Sequence, residues 1–255
     1  MLLRNVGGVS EPSTHVGASG TPSSHKERAR PLRTVCIIGR KGGSGKSTIA
    51  SQMAIGLHLR GRKTVLIDTD PQLSSLRVLS NRTRPGPQVL EGDFSRLTAF
   101  RDAAADIEAE ALLIDTPAVL EDAVAAAVAL SNLCILVLRP TFLDLASAVR
   151  TSAIIREYRK PGLVLLNQAP TARESVEPPI VRRSLEALKI LKLPAVPVII
   201  RARGVYQTAL ESGLSAEEMS YDRVAAQEMG ELCDFVDRFL FGRTMGRPPL
   251  PMEGR

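Results

Sequence analysis

Six short apolar runs, separated by longer stretches of helical character, constrain the fold of this chain more than any other feature. The runs are TVCIIG (34–39), TVLID (64–68), ALLID (111–115), LCILVL (133–138), LVLLN (163–167) and AVPVII (195–200). They are apolar on both faces, and helical patterns of about ten residues or more separate them, which is typical of parallel strands covered on both sides. The sequence therefore predicts an α/β fold: a doubly wound, mostly parallel sheet with helices on both faces.

The 255 residues, of which 44% are hydrophobic, are enough for a sizeable core. Residues 1–32 are rich in Gly, Ser, Pro and Thr and show no apolar periodicity, so we expect a disordered basic arm there. No second linker and no internal repeat follow. We therefore expect one domain over 33–241, with a last helix at about 222–241, and a flexible tail over 242–255.

Composition argues against several classes of protein. No apolar run approaches the roughly 18 residues that span a bilayer, and the first residues do not read as a secretory signal. Cys36, Cys134 and Cys233 are odd in number and lie in apolar segments, which indicates buried thiols rather than disulfides or zinc ligands. We therefore expect a cytoplasmic protein. The net charge of +6 is concentrated at the two ends, which suits DNA or an acidic membrane but is also common in tails that only keep a protein soluble.

The segment RKGGSGKST, residues 40–48, follows the first run and leads directly into a helix. Its glycines let backbone N–H groups converge on phosphate oxygens, at the positive end of the helix. Lys46 is placed to neutralise the β- and γ-phosphates, and Ser47 to bind Mg²⁺. The sequence thus predicts a P-loop NTPase. The predicted nucleotide-binding residues of the loop are Gly42, Gly43, Ser44, Gly45, Lys46, Ser47 and Thr48.

Carboxylates end the next two runs, Asp68 and Asp70 in DTDPQ and Asp115 in LLIDTPA. Phosphoryl transfer to water needs charge neutralisation, a metal and a group that orients the attacking water. We expect Asp115 to hold Mg²⁺ through water. Asp68 and Asp70 share one face of a strand. We predict that Asp70 positions the water, while Asp68 supports the loop or the surroundings of the metal.

The sequence KGGSGKS, residues 41–47, resembles the deviant Walker A motif of the ParA/MinD family of ATPases, in which the first lysine is the signature residue. DTDPQ, LLIDTPA, LNQAP and VIIRARGVYQTALESG (198–213) resemble further segments of that family, in the same order. The resemblance covers roughly residues 34–215. It implies that Lys41 acts catalytically with Lys46 and Asp70, reaching the phosphates of a partner in an ATP-sandwich homodimer. It also implies that Asn167 contacts adenine.

The resemblance implies a slow, partner-stimulated ATPase with ATP and Mg²⁺ as cofactors. Such a protein binds DNA without sequence preference in the ATP state and drives partition or positioning of plasmid or chromosome cargo, with a ParB-like adaptor, on the nucleoid. The short arm, in place of a helix-turn-helix domain, argues against binding a specific operator. Leu73, Ser74 and Ser75 depart from the Gly and Asn common at this point, which leaves the partner open. Candidate DNA contacts are the basic residues of the C-terminal third, Arg182, Arg183, Lys189, Lys192, Arg201, Arg203 and Arg223.

Two other functions stay open at this point. A MinD-like membrane ATPase, or a flagellar-number or cell-division regulator, would use a terminal amphipathic helix. Apolar residues at helical spacing occur near the C-terminus, but acidic residues occupy the other face, where membrane-surface helices favour Lys and Arg. We therefore expect this helix to pack on the core and membrane binding to be unfavoured. The apolar residues of this terminal helix are Leu232, Phe235, Val236, Phe239 and Leu240.

A metabolic kinase or ligase would need a substrate pocket built by long insertions, and no long insertion separates the apolar runs.

Overall fold

The computed structural model describes residues 31–118, 121–172, 174 and 176–242. Most of the predicted arm and nearly all of the predicted tail lie outside these residues. The described strands are β1 (Arg33–Ile38), β2 (Thr64–Asp68), β3 (Gln88–Glu91), β4 (Ala111–Asp115), β5 (Leu133–Leu138) and β6 (Gly162–Leu166). The described α-helices are α1 (Lys46–Leu59), α2 (Ser74–Ser80), α3 (Leu97–Asp106), α4 (Glu121–Leu130), α5 (Phe142–Glu157), α6 (Pro179–Ala187), α7 (Val205–Glu211) and α8 (Arg223–Phe241). Short 3₁₀ turns occupy Phe94–Arg96, Leu188–Leu191 and Ala216–Glu218.

The described strands form one sheet in the order β3-β2-β4-β1-β5-β6, and every neighbouring pair is parallel. β1 lies in the middle, where Cys36 pairs with Ile114 of β4 and with Cys134 of β5. Crossover connections then place helices on both faces of the sheet. This confirms the predicted α/β fold. Ligands of such sheets bind beyond the carboxyl ends of the strands, so the loop that follows β1 occupies the favoured position.

Alternating residues of the central strand β1 pack into separate cores on the two faces of the sheet, and Val65, Ile67 and Leu112 belong to a third, smaller core. Val35 and Ile37 pack with buried residues of α1, α7 and α8, whereas Cys36 and Ile38 pack with buried residues of α4, α5 and α6. Burial on both faces explains why the strands read as continuous apolar runs.

The predicted strand set needs two corrections. The run at 195–200 is not a ladder strand: it follows β6 through isolated parallel bridges, Val164 with Ala195 and Ala169 with Arg201. Pro197 lies inside this run and has no N–H to donate to a ladder. Conversely, β3 was not predicted. It pairs only with β2 at one edge of the sheet, and its residues QVLE are largely exposed and include two polar or charged side chains.

The C-terminal helix α8 confirms the predicted helix at 222–241. Asp222 begins it by accepting a hydrogen bond from the backbone N–H of Ala225 at 3.0 Å. Leu232, Val236 and Leu240 are buried in the core, and only Phe239 of the predicted apolar face is exposed. The apolar face of α8 therefore packs against the protein, as expected. Across the part of the chain described here, no helix is long and apolar enough to cross a bilayer.

The buried Arg60 attaches α8 and a neighbouring turn to the C-terminal end of α1. Arg60 is 2% exposed and donates to both carboxylate oxygens of Glu217, at 3.0 and 3.2 Å, and to Asp234 at 2.7 Å. It also donates to the carbonyl oxygens of Gly56 and Gly230. These bonds join α1, α8 and the 3₁₀ turn Ala216–Glu218, which we name the acidic turn.

Arg62 and Arg82 make similar connections. Arg62 donates to both oxygens of the buried Asp237 of α8, at 2.7 and 3.2 Å. Arg82, just beyond α2, donates to both oxygens of Glu218 at 2.8 and 2.9 Å. α1 and the end of α2 are thus held by adjacent residues of the acidic turn.

We expect Arg60→Ala to lower the free energy of unfolding by about 3–5 kcal/mol, because it removes the guanidinium that pairs with the buried carboxylate of Glu217. Urea unfolding followed by circular dichroism measures the change. The matched control is Arg150→Ala, since Arg150 forms an ion pair with Glu121 on the surface, and such pairs contribute about 1 kcal/mol or less. Equal effects of the two substitutions would contradict the assigned role of Arg60.

Candidate functional site

The loop between β1 and α1 can take its shape only with glycine at certain positions. Gly45 has a φ of +92° and precedes the first residue of α1, and an added Cβ would lie 2.2 Å from the Nδ2 atom of Asn167. At Gly39 an added Cβ would lie 2.8 Å from the carbonyl oxygen of Val137. No side chain caps the start of α1, so the first N–H groups of the helix are available to an anion.

This loop opens onto a cavity of about 670 Å³, a size typical of small-molecule sites. Its residues come from the loop, from the start of α1, from DTDPQ and from the segment after β4. They are Gly42, Gly43, Gly45, Lys46, Ser47, Thr48, Asp70, Pro71, Gln72, Ser74, Pro117 and Ala118. Most of the predicted loop residues thus line one cavity with Asp70.

The two lysines of the loop occupy different positions. Lys46 is 7% exposed; burial lowers its pKa, and the nearby carboxylates of Asp115 and Asp70 partly offset that shift. Lys41 is half-buried and is not among the residues that line the cavity. Lys46 therefore lines the cavity, whereas Lys41 lies outside its lining.

Asp115 ends β4 at the centre of the sheet edge and is fully buried. Within the described residues, neither of its carboxylate oxygens accepts a hydrogen bond of normal geometry. Burial, and then the charge of Asp68, raise its pKa to about 7, while the hydroxyls of Ser47 and Ser75 and the charge of Lys46 act in the opposite direction. A buried carboxylate of this kind beside a serine hydroxyl fits a bound Mg²⁺, whose preferred ligands are oxygen atoms and water.

Asp68 and Asp70 have different surroundings. Asp68 lies beside Asp115 in the strand register and is fully buried. Its two oxygens accept hydrogen bonds from the N–H groups of Asp70 at 3.1 Å and Leu76 at 3.0 Å. Asp70 is half-buried, lines the cavity, and accepts a hydrogen bond from the N–H of Gln72 at 2.9 Å. Asp68 thus organises the loop, and Asp70 is the carboxylate that faces the cavity.

The residues that follow β6 hold the loop through hydrogen bonds to its backbone. Asn167 is 3% exposed, and its Nδ2 atom donates to the carbonyl oxygen of Ser44 at 2.8 Å. Gln168 likewise donates to the carbonyl oxygen of Gly43 at 3.0 Å. The side chain of Asn167 thus orients the loop in this structure, and its contact with adenine stays a prediction. Gln168 lies within LNQAP, and Ser75 was noted only as a departure from the family pattern. Neither residue was given a role from the sequence, because their contacts are made with distant segments of the chain.

Four of the candidate DNA contacts form two groups, whereas Lys189, Lys192 and Arg223 are exposed singly. Arg182 and Arg183 are exposed on α6, whose Val181 and Ser184 face the core, and they form no ion pair within the described residues. Arg201 pairs with Glu177 and also donates to the carbonyl oxygen of Pro170 at 2.9 Å. Arg203 pairs with Glu228 at 2.8 Å. The first pair is therefore available to a polyanion, whereas the charges of Arg201 and Arg203 are already matched by carboxylates.

Comparison with known proteins agrees with this geometry. The profile of the CobQ/CobB/MinD/ParA nucleotide binding domain matches residues 35–234. The Maintenance of carboxysome distribution protein A of Halothiobacillus neapolitanus is 26% identical over 215 residues, covering 80% of this chain and 95% of its own length. The protein of the same name from Gloeobacter kilaueensis is 31% identical over 193 residues, covering 72% of this chain and 83% of its own length. The structure of Cyanothece apo McdA superposes with a TM-score of 0.68 at 16% identity, covering 80% of this chain and 99% of that one.

Proposed function

The chain belongs to the CobQ/CobB/MinD/ParA family of nucleotide-binding domains, and from this we propose that it is a Mg²⁺-dependent ATPase that dimerises around ATP and positions a large cargo on DNA. The observation that carries the ATPase proposal is the convergence of Lys46, Ser47 and the buried carboxylate of Asp115 at one phosphate-sized loop. The buried oxygens of Asp115 have no hydrogen-bond partner of normal geometry among the described residues, and a bound metal with its waters would supply partners.

Each part of the site has a role in phosphoryl transfer. Lys46 and the first N–H groups of α1 bind the phosphates. Ser47 and, through water, Asp115 would hold Mg²⁺, which supplies charge neutralisation on the β- and γ-phosphates. Asp70, which faces the cavity, orients the attacking water. Lys41 lies outside the cavity of its own subunit, which supports a role at the phosphates of a second copy.

The proposed DNA contacts are Arg182 and Arg183. Both are exposed on α6, and the anchoring of Val181 and Ser184 in the core holds them on the outer surface. Pairing the two subunits would double this patch, so that binding to DNA depends on the ATP-bound dimer. Non-specific affinity at physiological salt would then be on the order of 10⁻⁴–10⁻⁶ M.

The comparisons support a large protein assembly as the first candidate cargo. Two relatives that align over most of their own lengths are named for carboxysome distribution. We propose that an adaptor bound to the cargo stimulates hydrolysis and releases the ATPase from the nucleoid. A plasmid or chromosome cargo with a ParB-like adaptor is the alternative within the same mechanism.

Fluorescence anisotropy of a random-sequence duplex, titrated with protein, Mg²⁺ and either ATP or ADP, tests the switch. Asp70→Ala holds the ATP state during the titration. We expect binding with ATP and none with ADP. Equal weak binding in both states, or no binding, would contradict the DNA proposal, and liposome sedimentation with ATP would then test a membrane surface in its place.

The double substitution Arg182→Ala/Arg183→Ala is expected to weaken ATP-dependent DNA binding and to lower the salt slope by about 1 for each phosphate that the variant no longer binds. The matched control is Lys63→Ala/Arg101→Ala, which removes two exposed charges from other surfaces. ATP binding should be unchanged in both variants. An unchanged salt slope in the first variant would exclude these arginines as phosphate ligands.

A further inference from the structure

Ser75, in the first turn of α2, is a buried hydroxyl for which neither the fold nor the proposed chemistry yet accounts. The residue is fully buried, and within the described part of the chain its Oγ atom has no hydrogen-bond partner of normal geometry. Its neighbour Ser74 is exposed and lines the cavity instead. A buried polar group without a partner costs about 1–3 kcal/mol, so this hydroxyl calls for an explanation.

The position of α2 places this hydroxyl next to the carboxylate of Asp115, which is proposed to hold Mg²⁺. The sheet register sets Asp68 beside Asp115, and Asp68 accepts a hydrogen bond from the N–H of Leu76 at 3.0 Å. This bond holds the first turn of α2 against the carboxyl end of β4. Ser75 therefore lies beside Asp115, whose two buried carboxylate oxygens likewise have no hydrogen-bond partner of normal geometry among the described residues.

The carboxylate of Asp115 is thus flanked by hydroxyls from two helices. Ser47 belongs to the first turn of α1 and Ser75 to the first turn of α2. Ser47 already has a role, since it is the loop residue placed to bind the metal directly. Ser75, from the first turn of α2, lies beside the same carboxylate.

We propose that Ser75 is a positioning residue of the metal site, which orients the carboxylate of Asp115 toward Mg²⁺ by donating a hydrogen bond to it. This inference rests on the proposed function, because it requires a metal bound with the nucleotide. The same bond ties α2 to the site, so that the metal and the segment that begins at Asp70 are coupled. Groups that orient a metal ligand change metal affinity by about 10–100-fold when removed.

The test compares Mg²⁺ titrations of a fluorescent ATP analogue bound to the full chain. For Ser75→Ala we expect the Mg²⁺ concentration at half-maximal change to rise about 10-fold or more, with nucleotide affinity in EDTA unchanged. Ser75→Cys keeps the approximate volume of the side chain with a weaker donor and is expected to raise the Mg²⁺ requirement too. Ser75→Cys takes the place of Ser75→Ala in the titration if Ser75→Ala does not fold.

Ser51→Ala is the matched control. Ser51 is also fully buried, and its Oγ atom likewise lacks a partner among the described residues, but it lies further along α1 and is absent from the cavity lining. A Mg²⁺ titration of Ser75→Ala that coincides with those of the wild type and Ser51→Ala would overturn the inference. If the wild type shows no Mg²⁺-dependent nucleotide binding at all, the proposed function fails and the inference fails with it.

Discussion

We expect Lys41→Ala to lower the rate of ATP hydrolysis by about 10³–10⁵-fold, the range measured for cationic groups supplied to phosphates in trans, while ATP binding is largely kept. The reason lies in the different positions of the two lysines. Lys46 is buried at the cavity of its own subunit, whereas Lys41 is half-buried outside the cavity lining. Steady-state phosphate release and binding of a fluorescent ATP analogue measure the two effects separately.

Mixed dimers test whether Lys41 acts across the interface. If it does, an equal mixture of Lys41→Ala and Asp70→Ala subunits contains one complete site in each mixed dimer, with Asp70 from one subunit and Lys41 from the other. Turnover should then reappear, although each variant is inactive alone. A mixture as inactive as its components would show that Lys41 acts within its own subunit, and full activity of Lys41→Ala alone would contradict the sandwich dimer. Lys63→Ala, at an exposed lysine elsewhere on the protein, is the control.

We expect Asp115→Asn to stabilise the nucleotide-free protein at neutral pH and to abolish Mg²⁺-dependent nucleotide binding. Burial and the adjacent Asp68 raise the pKa of Asp115 from 3.8 to about 7. The folded protein therefore keeps a proton that the unfolded chain releases, and its stability falls as pH rises through this window. At 1.36 kcal/mol per pKa unit, the cost above pH 7 reaches about 4 kcal/mol. Asn carries no charge, so the variant does not lose stability in this way.

The pH dependence separates this effect from ordinary changes in packing. The stability difference between Asp115→Asn and wild type should be small near pH 4 and grow up to about pH 7, as measured by urea unfolding at each pH. Asp122→Asn, on the exposed side of α4, should differ from wild type by no more than about 0.5 kcal/mol. A pH-independent difference for Asp115→Asn would show that its carboxyl does not hold the proton.

Apolar runs located the central strands well, because strands buried on both faces have few polar positions. The same rule overlooked β3, an edge strand with one neighbour and a largely exposed face. It also overstated the segment 195–200, where only Val196, Val198 and Ile200 are buried and Pro197 interrupts the ladder. Periodicity reports burial, and burial alone does not distinguish a ladder strand from an extended segment beside a sheet.

The site was predictable where its residues lie close together in the chain. Most of the loop residues, from Gly42 to Thr48, meet the carboxylate of Asp70 at one cavity, as their positions at strand ends suggested. The hydrogen bonds of Asn167 to Ser44 and of Gln168 to Gly43 join residues more than 120 positions apart, and no local pattern encodes them. The use of Asp68 to hold Leu76 likewise became visible only with the position of α2.

The acidic turn also fixes the far ends of the two helices whose first turns lie at the cavity. Glu217 holds Arg60 at the far end of α1, and Glu218 holds Arg82 just beyond the far end of α2. Both helices therefore have a fixed end away from the cavity and a first turn beside it. Most of α1 is buried in the core, so the short α2 is the helix of the two that can tilt about its fixed end. α2 has seven residues and a length of about 10 Å. A tilt of α2 by about 10° about this fixed end would move its first turn by about 2 Å. A small tilt of the helix would therefore change the distance between Ser75 and Asp115.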